Sequence, residues 1–520
     1  MEELRGLQTL LELEREREFA EQRRHDDEAQ RLMDTDPRGH IEMMQPMQER
    51  AAIVRELPEA LLRHEAEVFQ QIQRMENQRR ESGPAVRELD MGVLMARHVV
   101  MEPWTHLTLL TLGAWLIASP SALGYTSVAL TWSDVVSGVL IIAFSALSAR
   151  QRLWAPWANT AVGLWLMFAP LAFWTRDAAA YANDTLIGAL VIGFAIIIPM
   201  RTDMPGDDIP PGWTYNPSTW PQRVPIIGLA LLSFLMARYM AAFQLEHIPS
   251  VWDPIFGRGT ELVLMSEVSR AFPISDAGLG AYTYMLEILS GLMGDIRRWR
   301  TMPWMVALFG IAVVPLGIAS VVLIMLQPVA VGAWCTLCIV SAVLMLVMVT
   351  LSLDEIIASV QFLIAGRRAG LSAWRLFWIG GEVSRPIEER GMERPTGRLW
   401  TGMLSGASVP RSLLASAAIG AWLMAAPSAL GTTGSAADAE IVLGALVVTV
   451  AFIAFAEVGR AARFINILLG LAIAVLPWLL DGASTGGRLN ALFAGILLVV
   501  LSVPRGRIAN RYSGWDPFIV

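Results

Sequence analysis

From Trp104 onward, apolar runs of about the twenty residues a bilayer-spanning helix requires alternate with short polar breaks. The runs cover 104–124, 130–148, 154–173, 183–200, 224–243, 277–293, 303–326, 330–352, 411–430, 438–457, 464–480 and 488–503. They predict an all-α, polytopic helical membrane protein with about twelve transmembrane helices. Residues 1–100 follow a different pattern. Leu4, Leu7 and Leu11, then Ile53, Leu57, Leu61 and Leu62, recur at helical spacing within a sequence dense in Glu, Arg and Gln. This region reads as amphipathic helices broken near Pro37, Pro46 and Pro58. No apolar stretch follows Met1 closely enough to act as a secretory signal, so the arm is expected to stay in the cytoplasm.

Arginine placement orients the spans. With the N-terminus inside, cytoplasmic loops receive Arg150 and Arg152, Arg201 and Arg223, Arg297, Arg298 and Arg300, Arg367 and Arg368, and Arg460 and Arg463. The tail adds Arg505, Arg507 and Arg511, whereas the opposite loops hold only Arg176, Arg258, Arg270 and Arg488. Positive charge marks the cytoplasmic side, so both termini are expected to be cytoplasmic, with a bacterial inner membrane as the expected location. A 54% hydrophobic composition with 17% charged residues argues against a soluble enzyme, and a net charge of −7 gives no reason to expect nucleic-acid binding.

An internal repeat divides the spans. Gly113-Ala114-Trp115-Leu116 leads to Pro120-Ser121-Ala122-Leu123-Gly124, and Gly420-Ala421-Trp422-Leu423 leads to Pro427-Ser428-Ala429-Leu430-Gly431. The same glycine-to-proline spacing returns at Gly163 and Pro170 and at Gly470 and Pro477, with Asn159 and Asn466 one turn earlier. A second glycine falls in each partner helix, at Gly138, Gly188, Gly444 and Gly495. Small residues at such spacing let membrane helices approach closely, so the expected role is packing. Trp115, Trp165, Trp174 and Trp422 suit the interfacial belt. These segments resemble the SPW repeat family, although Ser119-Pro120 lacks the tryptophan and Pro477-Trp478 lacks the serine.

The chain has only two cysteines, too few for a disulfide scaffold or a four-thiolate metal site, and no His cluster supplies the remaining zinc ligands. Both lie in Trp334-Cys335-Thr336-Leu337-Cys338, at the expected outer start of a span. A CxxC pair can cycle between dithiol and disulfide, and a helix N-terminus favours its thiolate. Two inert buried cysteines are the bland alternative.

Residues 224–352 resemble the vitamin K epoxide reductase family, a four-helix membrane bundle that couples thiol oxidation to quinone reduction. The resemblance rests on Gly332-Ala333-Trp334-Cys335-Thr336-Leu337-Cys338 and on Ser266-Glu267-Val268-Ser269-Arg270-Ala271-Phe272-Pro273-Ile274-Ser275-Asp276-Ala277-Gly278-Leu279-Gly280. It also rests on the order of one helix, a long outer loop and three further helices. It implies that Cys335 exchanges with an incoming thiol, that Cys338 faces a membrane quinone of ubiquinone or menaquinone type, and that Asp276 stands where the family has a quinone-binding asparagine. A protonated aspartic acid can donate that hydrogen bond; an ionised one cannot.

The sequence departs from the family in two places. The outer loop, 244–276, lacks the additional cysteine pair, with Gly259-Thr260-Glu261-Leu262-Val263-Leu264 in the corresponding region, and Ala342 stands where some members have tyrosine. Either a separate thioredoxin-like or other dithiol protein on the outer side meets Cys335 directly, or the chain is a degenerate scaffold that keeps the fold without turnover. The parallel orientation of the flanking repeats gives a transporter reading little support. Arg238 and Glu287, inside spans at neighbouring depths, are expected to form an ion pair, with a proton path to a quinone as the alternative. His247 is expected to be an exposed loop residue. The resulting organisation is a cytoplasmic arm at 1–100, an SPW-like four-helix unit at 101–203 and a reductase-like bundle at 220–355. A cytoplasmic linker at 356–405, a second SPW-like unit at 406–503 and a cytoplasmic tail at 504–520 complete it.

Overall fold

A computed structural model describes residues 103–150, 152, 154–197, 207–384 and 402–519, together with 20, 23, 24 and 86–88. The chain divides into two compact units, Met1–Pro84 and Ala85–Val520. The helices expected in the arm lie almost wholly outside the described residues.

The second unit is almost entirely helical. Its long helices are α1 (Pro103–Leu123), α2 (Val128–Ala149), α3 (Ala155–Ala172), α4 (Ala178–Ile192), α5 (Trp220–Gln244) and α6 (Asp276–Leu292). They continue with α7 (Pro303–Leu326), α8 (Thr336–Arg368), α9 (Arg411–Leu430), α10 (Gly434–Phe455), α11 (Ile465–Leu479) and α12 (Thr485–Ser502). Among the described residues, ten helices are long and apolar enough to cross a membrane. Outside that set are α6, which is 17 residues long, and α3, whose 18 residues include Asn159 and two prolines. One feature has no precedent in the hydrophobic pattern: Val86–Glu88 pairs antiparallel with Gly381–Val383.

Local sequence explains the helix limits. Ser127, Ser275 and Ser484 cap α2, α6 and α12 by accepting a hydrogen bond from the backbone N–H three residues on. Pro120, Pro170 and Pro427 fall in the last turns of α1, α3 and α9. Each proline carbonyl accepts the N–H of the residue five further on: Tyr125 at 3.0 Å, Thr175 at 3.0 Å and Thr432 at 3.1 Å. Three copies of the repeat therefore close with the same turn.

The repeated glycines pack in pairs. A Cβ placed on Gly113 would lie 2.8 Å from the Gly138 carbonyl oxygen, and one on Gly163 would lie 2.8 Å from that of Gly188. The corresponding values are 2.7 Å for Gly420 against Gly444 and 2.8 Å for Gly470 against Gly495. Each α-helical hairpin is thus closed at a point where no side chain fits. Two tryptophans tie the hairpins together at equivalent positions, with Trp115 Nε1 donating to Asn183 Oδ1 at 2.8 Å and Trp422 Nε1 to Asn490 Oδ1 at 2.9 Å. The expectation of a packing role for the glycines is met in all four copies.

In the central segment, α6 packs along α5 and α7 along α8, while α5 also packs on α8. Buried polar groups hold the end of this segment away from the cysteines. Arg298 pairs with Glu355 through two hydrogen bonds of 2.6 and 2.5 Å, with both side chains buried, and Ser218 donates to the same carboxylate at 2.5 Å. The helix that begins at Thr336 continues to Arg368, well past residue 355.

Candidate active site

Cys335 is the N-cap residue of α8, positioned by the turn before it. Gly332 adopts a left-handed conformation, with φ of 72°, which ends the preceding helical turn and redirects the chain. Gln327 Oε1 accepts the Cys335 N–H at 3.0 Å, and Cys335 Sγ accepts the Cys338 N–H at 3.1 Å. Cys335 and Cys338 are joined as a disulfide. Cys335 is fully buried, whereas Cys338 is half-buried with its Sγ 3.7 Å from Met240 Sδ. Leu171, Tyr181, Met240, Leu245, Val251, Leu264 and Ala277 pack with the pair in one apolar cluster.

The segment between α5 and α6 covers this disulfide. Its short helix, Gly259–Leu264, meets the cysteine-bearing end of α8 so closely that a Cβ on Gly259 would run into the Trp334 carbonyl oxygen. Thr260 Oγ1 lies 3.4 Å from Cys335 Sγ. That hydroxyl also donates to Asp253 Oδ2 at 2.6 Å. It carries one hydrogen, and the shorter bond to a carboxylate claims it.

Asp253 joins loop and helix. It accepts the Thr260 N–H at 3.1 Å, the Thr336 hydroxyl at 2.5 Å and the Thr336 N–H at 3.3 Å. The Ile255 and Phe256 N–H groups add bonds of 3.0 and 2.8 Å. Burial works against its charge, but the bonds from Thr260, Thr336, Phe256 and Ile255 outweigh it and hold the carboxyl well below the usual carboxylate range. The anion also sits at the positive end of α8.

Asp276 is the first residue of α6, and its neighbour Ala277 packs in the cysteine cluster. Its Oδ1 accepts Gln244 Nε2 at 2.6 Å and Ser269 Oγ at 2.8 Å. The expected Arg238–Glu287 ion pair is absent. Arg238 instead places its guanidinium over the Tyr181 ring, 3.5 Å from the centroid, and Glu287 is buried with neither oxygen hydrogen-bonded. At 1.5 Å per residue, Arg238 lies about 9 Å from the loop-side end of α5 and Glu287 about 16 Å from that of α6, too different in depth to meet. His247 is half-buried rather than exposed. Its Nε2 is 2.9 Å from the Thr175 carbonyl, on the side of the first repeat, and burial lowers its pKa.

These elements place one disulfide at a helix N-terminus, in an apolar surround, under a loop between the first and second helices of the central four. Residues 224–353 match the vitamin K epoxide reductase family. The flanking segments 93–198 and 412–504 match the SPW repeat domain. No curated protein and no solved structure matches the chain. The vitamin K epoxide reductase family comprises membrane thiol–quinone oxidoreductases, and the matched segment contains both cysteines.

Sequence reasoning placed Thr260 in the region of the family's additional cysteines without giving it a role, and it missed Asp253, Gln327 and Met240. Asp253-Pro254 carried a signal for a turn, since an aspartate before proline commonly accepts the N–H groups two and three residues on. Nothing in the linear spacing connects Thr260 to Cys335, 75 residues later.

Proposed function

We propose that this chain is a membrane thiol–disulfide oxidoreductase that passes electrons from an outer-side dithiol through Cys335 and Cys338 to a membrane quinone. The observation that carries this reading is the Cys335–Cys338 disulfide at the start of α8, inside the reductase-family segment. The proposal includes twelve spans, α3 and α6 among them, in three four-helix units with both termini cytoplasmic in a bacterial inner membrane. Arginine distribution supports this orientation.

A partner thiolate attacks Cys335 Sγ, the intramolecular S–S bond breaks, and Cys338 leaves as a thiolate. The partner's second thiol then displaces Cys335, so the partner becomes a disulfide and the pair becomes a dithiol, having taken two electrons. The Cys338 N–H directed at Cys335 Sγ and the α8 N-terminus stabilise negative charge on that sulfur. Because Cys335 is buried under Thr260, the loop must lift before a partner sulfur can reach it.

The surroundings fit a quinone. Met240, Leu264, Ala277 and the partly buried Leu337 are apolar, and Arg238 Nη1 is a buried donor without a hydrogen-bond partner on the helix that carries Met240. A bound quinone supplies a two-electron, two-proton acceptor that restores the disulfide. Asp276 Oδ1 already accepts from Gln244, Ser269 and the Ala277 N–H, so Oδ2 is the oxygen left to face a quinone.

A second reading, a scaffold that no longer turns over, is favoured by one observation: Thr260 occupies the loop position against Cys335, and the loop contains no thiol. Trapping thiols in whole cells with an impermeant alkylator, with and without quinone depletion, separates the two. Oxidised cysteines that become labelled when quinone is removed support turnover. Cysteines that stay free throughout, or purified-membrane quinone reduction unchanged by Cys335→Ser, support the scaffold.

A further inference from the structure

The first repeat contains a second polar site that the reductase reading does not use. Asp134 on α2 and Asp184 on α4 are both fully buried, and their carboxyls are within hydrogen-bonding reach of each other. Tyr125, in the turn between α1 and α2, brings its hydroxyl 3.3 Å from Asp184 Oδ1 and also faces Asp134. Asn183 Nδ2 lies 3.3 Å from the same Asp184 oxygen, 3.1 Å from the Tyr125 hydroxyl and 3.4 Å from Ser119 Oγ. Its own Oδ1 is occupied by Trp115 Nε1. The donors thus converge on one oxygen. Asp184 Oδ2 and both oxygens of Asp134 are buried without a donor.

α1 contributes Ser119 to this site, α2 contributes Asp134, α4 contributes Asn183 and Asp184, and the connecting turn contributes Tyr125. α3 has no titratable side chain. The nearest charges along the chain are engaged elsewhere. Asp177 accepts the Thr126 N–H at 2.8 Å at the exposed rim, and Arg176 pairs with Glu246 at 3.0 Å with both side chains largely exposed. Two facing carboxylates with no compensating cation among the described residues repel each other strongly in an apolar helical bundle. Among the described residues no group of three or more Asp, Glu, His or Cys side chains is placed to hold a metal ion here. One proton shared between the two acids supplies the missing donor and removes the repulsion between like charges, leaving a single negative charge that the Tyr125 hydroxyl and Asn183 Nδ2 face as donors.

We propose that Asp134 and Asp184 form a proton-binding site in the first repeat, holding one exchangeable proton between their carboxyls with Tyr125 against them. The second repeat carries a reduced version. Glu440 stands four residues before Gly444, as Asp134 stands four before Gly138, and it too is buried with neither oxygen hydrogen-bonded. Thr432 takes the turn position of Tyr125, while Ala491, four residues before Gly495, takes that of Asp184. A lone acid there has no second carboxyl with which to share a proton. The second carboxyl of the first repeat provides a neighbour to which the proton can pass.

The test uses full-length protein in detergent, comparing wild type with Asp134→Asn and Asp184→Asn. Either asparagine supplies the missing N–H and removes the need for the proton. If the folded wild type holds an extra proton, its Tm falls by several degrees relative to either variant as pH rises from about 5 to about 9. An infrared band of a protonated carboxyl, sensitive to D₂O, is present in the wild type at neutral pH and lost in each variant. Either variant alone suffices should the other fail to fold, and Glu440→Gln identifies the separate band of the second repeat. The proposal is overturned if wild type and variants share one Tm–pH profile and one carboxyl spectrum. It is also overturned if, at fixed pH, sodium or calcium raises the Tm of the wild type and not of the variants, which would make the site a cation site.

Discussion

Asp253→Ala removes the link between the α5–α6 loop and the cysteine-bearing helix. Two bonds cross from Asp253 to α8, from the Thr336 hydroxyl at 2.5 Å and the Thr336 N–H at 3.3 Å. Two more fix Thr260 over Cys335. Hydrogen bonds to charged groups contribute about 1.5–3 kcal/mol each, and these four are not additive. A net loss of about 3 kcal/mol for closure is a reasonable figure. At about 1.4 kcal/mol per factor of ten, the open population rises roughly a hundredfold. The assay reduces the protein in native membranes and measures alkylation of Cys335 with a membrane-impermeant reagent, read by mass. Because Cys335 is fully buried in the closed state, its labelling rate tracks opening. Asp253→Ala should label about a hundredfold faster than wild type, and Asp253→Asn, which keeps one acceptor oxygen, should fall between them. The pH dependence follows from the depressed pKa. The contribution of Asp253 is complete above the unfolded-state value near 4 and is lost as pH falls through the lower folded value. After correction for thiolate fraction, wild-type labelling should therefore be flat from about pH 5 to about pH 8. An Asp253→Ala variant that folds and labels at the wild-type rate would refute the latch.

Three further outcomes are expected. Thr260→Cys places a thiol where an oxygen now lies 3.4 Å from Cys335 Sγ, so mild oxidation of the reduced variant should give a bond from the introduced thiol to Cys335, seen by peptide mapping. Gly188→Leu forces a side chain against the Gly163 carbonyl oxygen and should destabilise the first repeat by about 1–3 kcal/mol or more, measured by thermal unfolding in detergent. Arg298→Ala strands the buried Glu355 and should cost about 3–5 kcal/mol, with recovery by the double change Arg298→Met with Glu355→Gln.

Much of the architecture was legible in sequence because membrane helices announce themselves locally. Length and apolarity located the long helices, and the glycine spacing identified the close contacts that the structure shows in four pairs. The strand pairing of Val86–Glu88 with Gly381–Val383 was not legible, because three residues carry no period and their partners are distant in the chain. The Arg238–Glu287 expectation failed for a similar reason. Membership of neighbouring spans constrains depth loosely, and rotation about the helix axis turned Arg238 towards Tyr181.

The sequence by itself determined that this is a helical membrane chain, that its only two cysteines form one CxxC, and that two repeated segments flank it. Those properties depend on composition and short-range spacing. Only the tertiary structure decided what lies over and around the cysteines. Asp253 reaches Thr336 across 83 residues, Thr260 reaches Cys335 across 75, and Asp134 meets Asp184 across two helices. Such contacts are set by how helices rotate and dock, and a buried carboxyl reveals its role only when the donors around it, or their absence, can be counted.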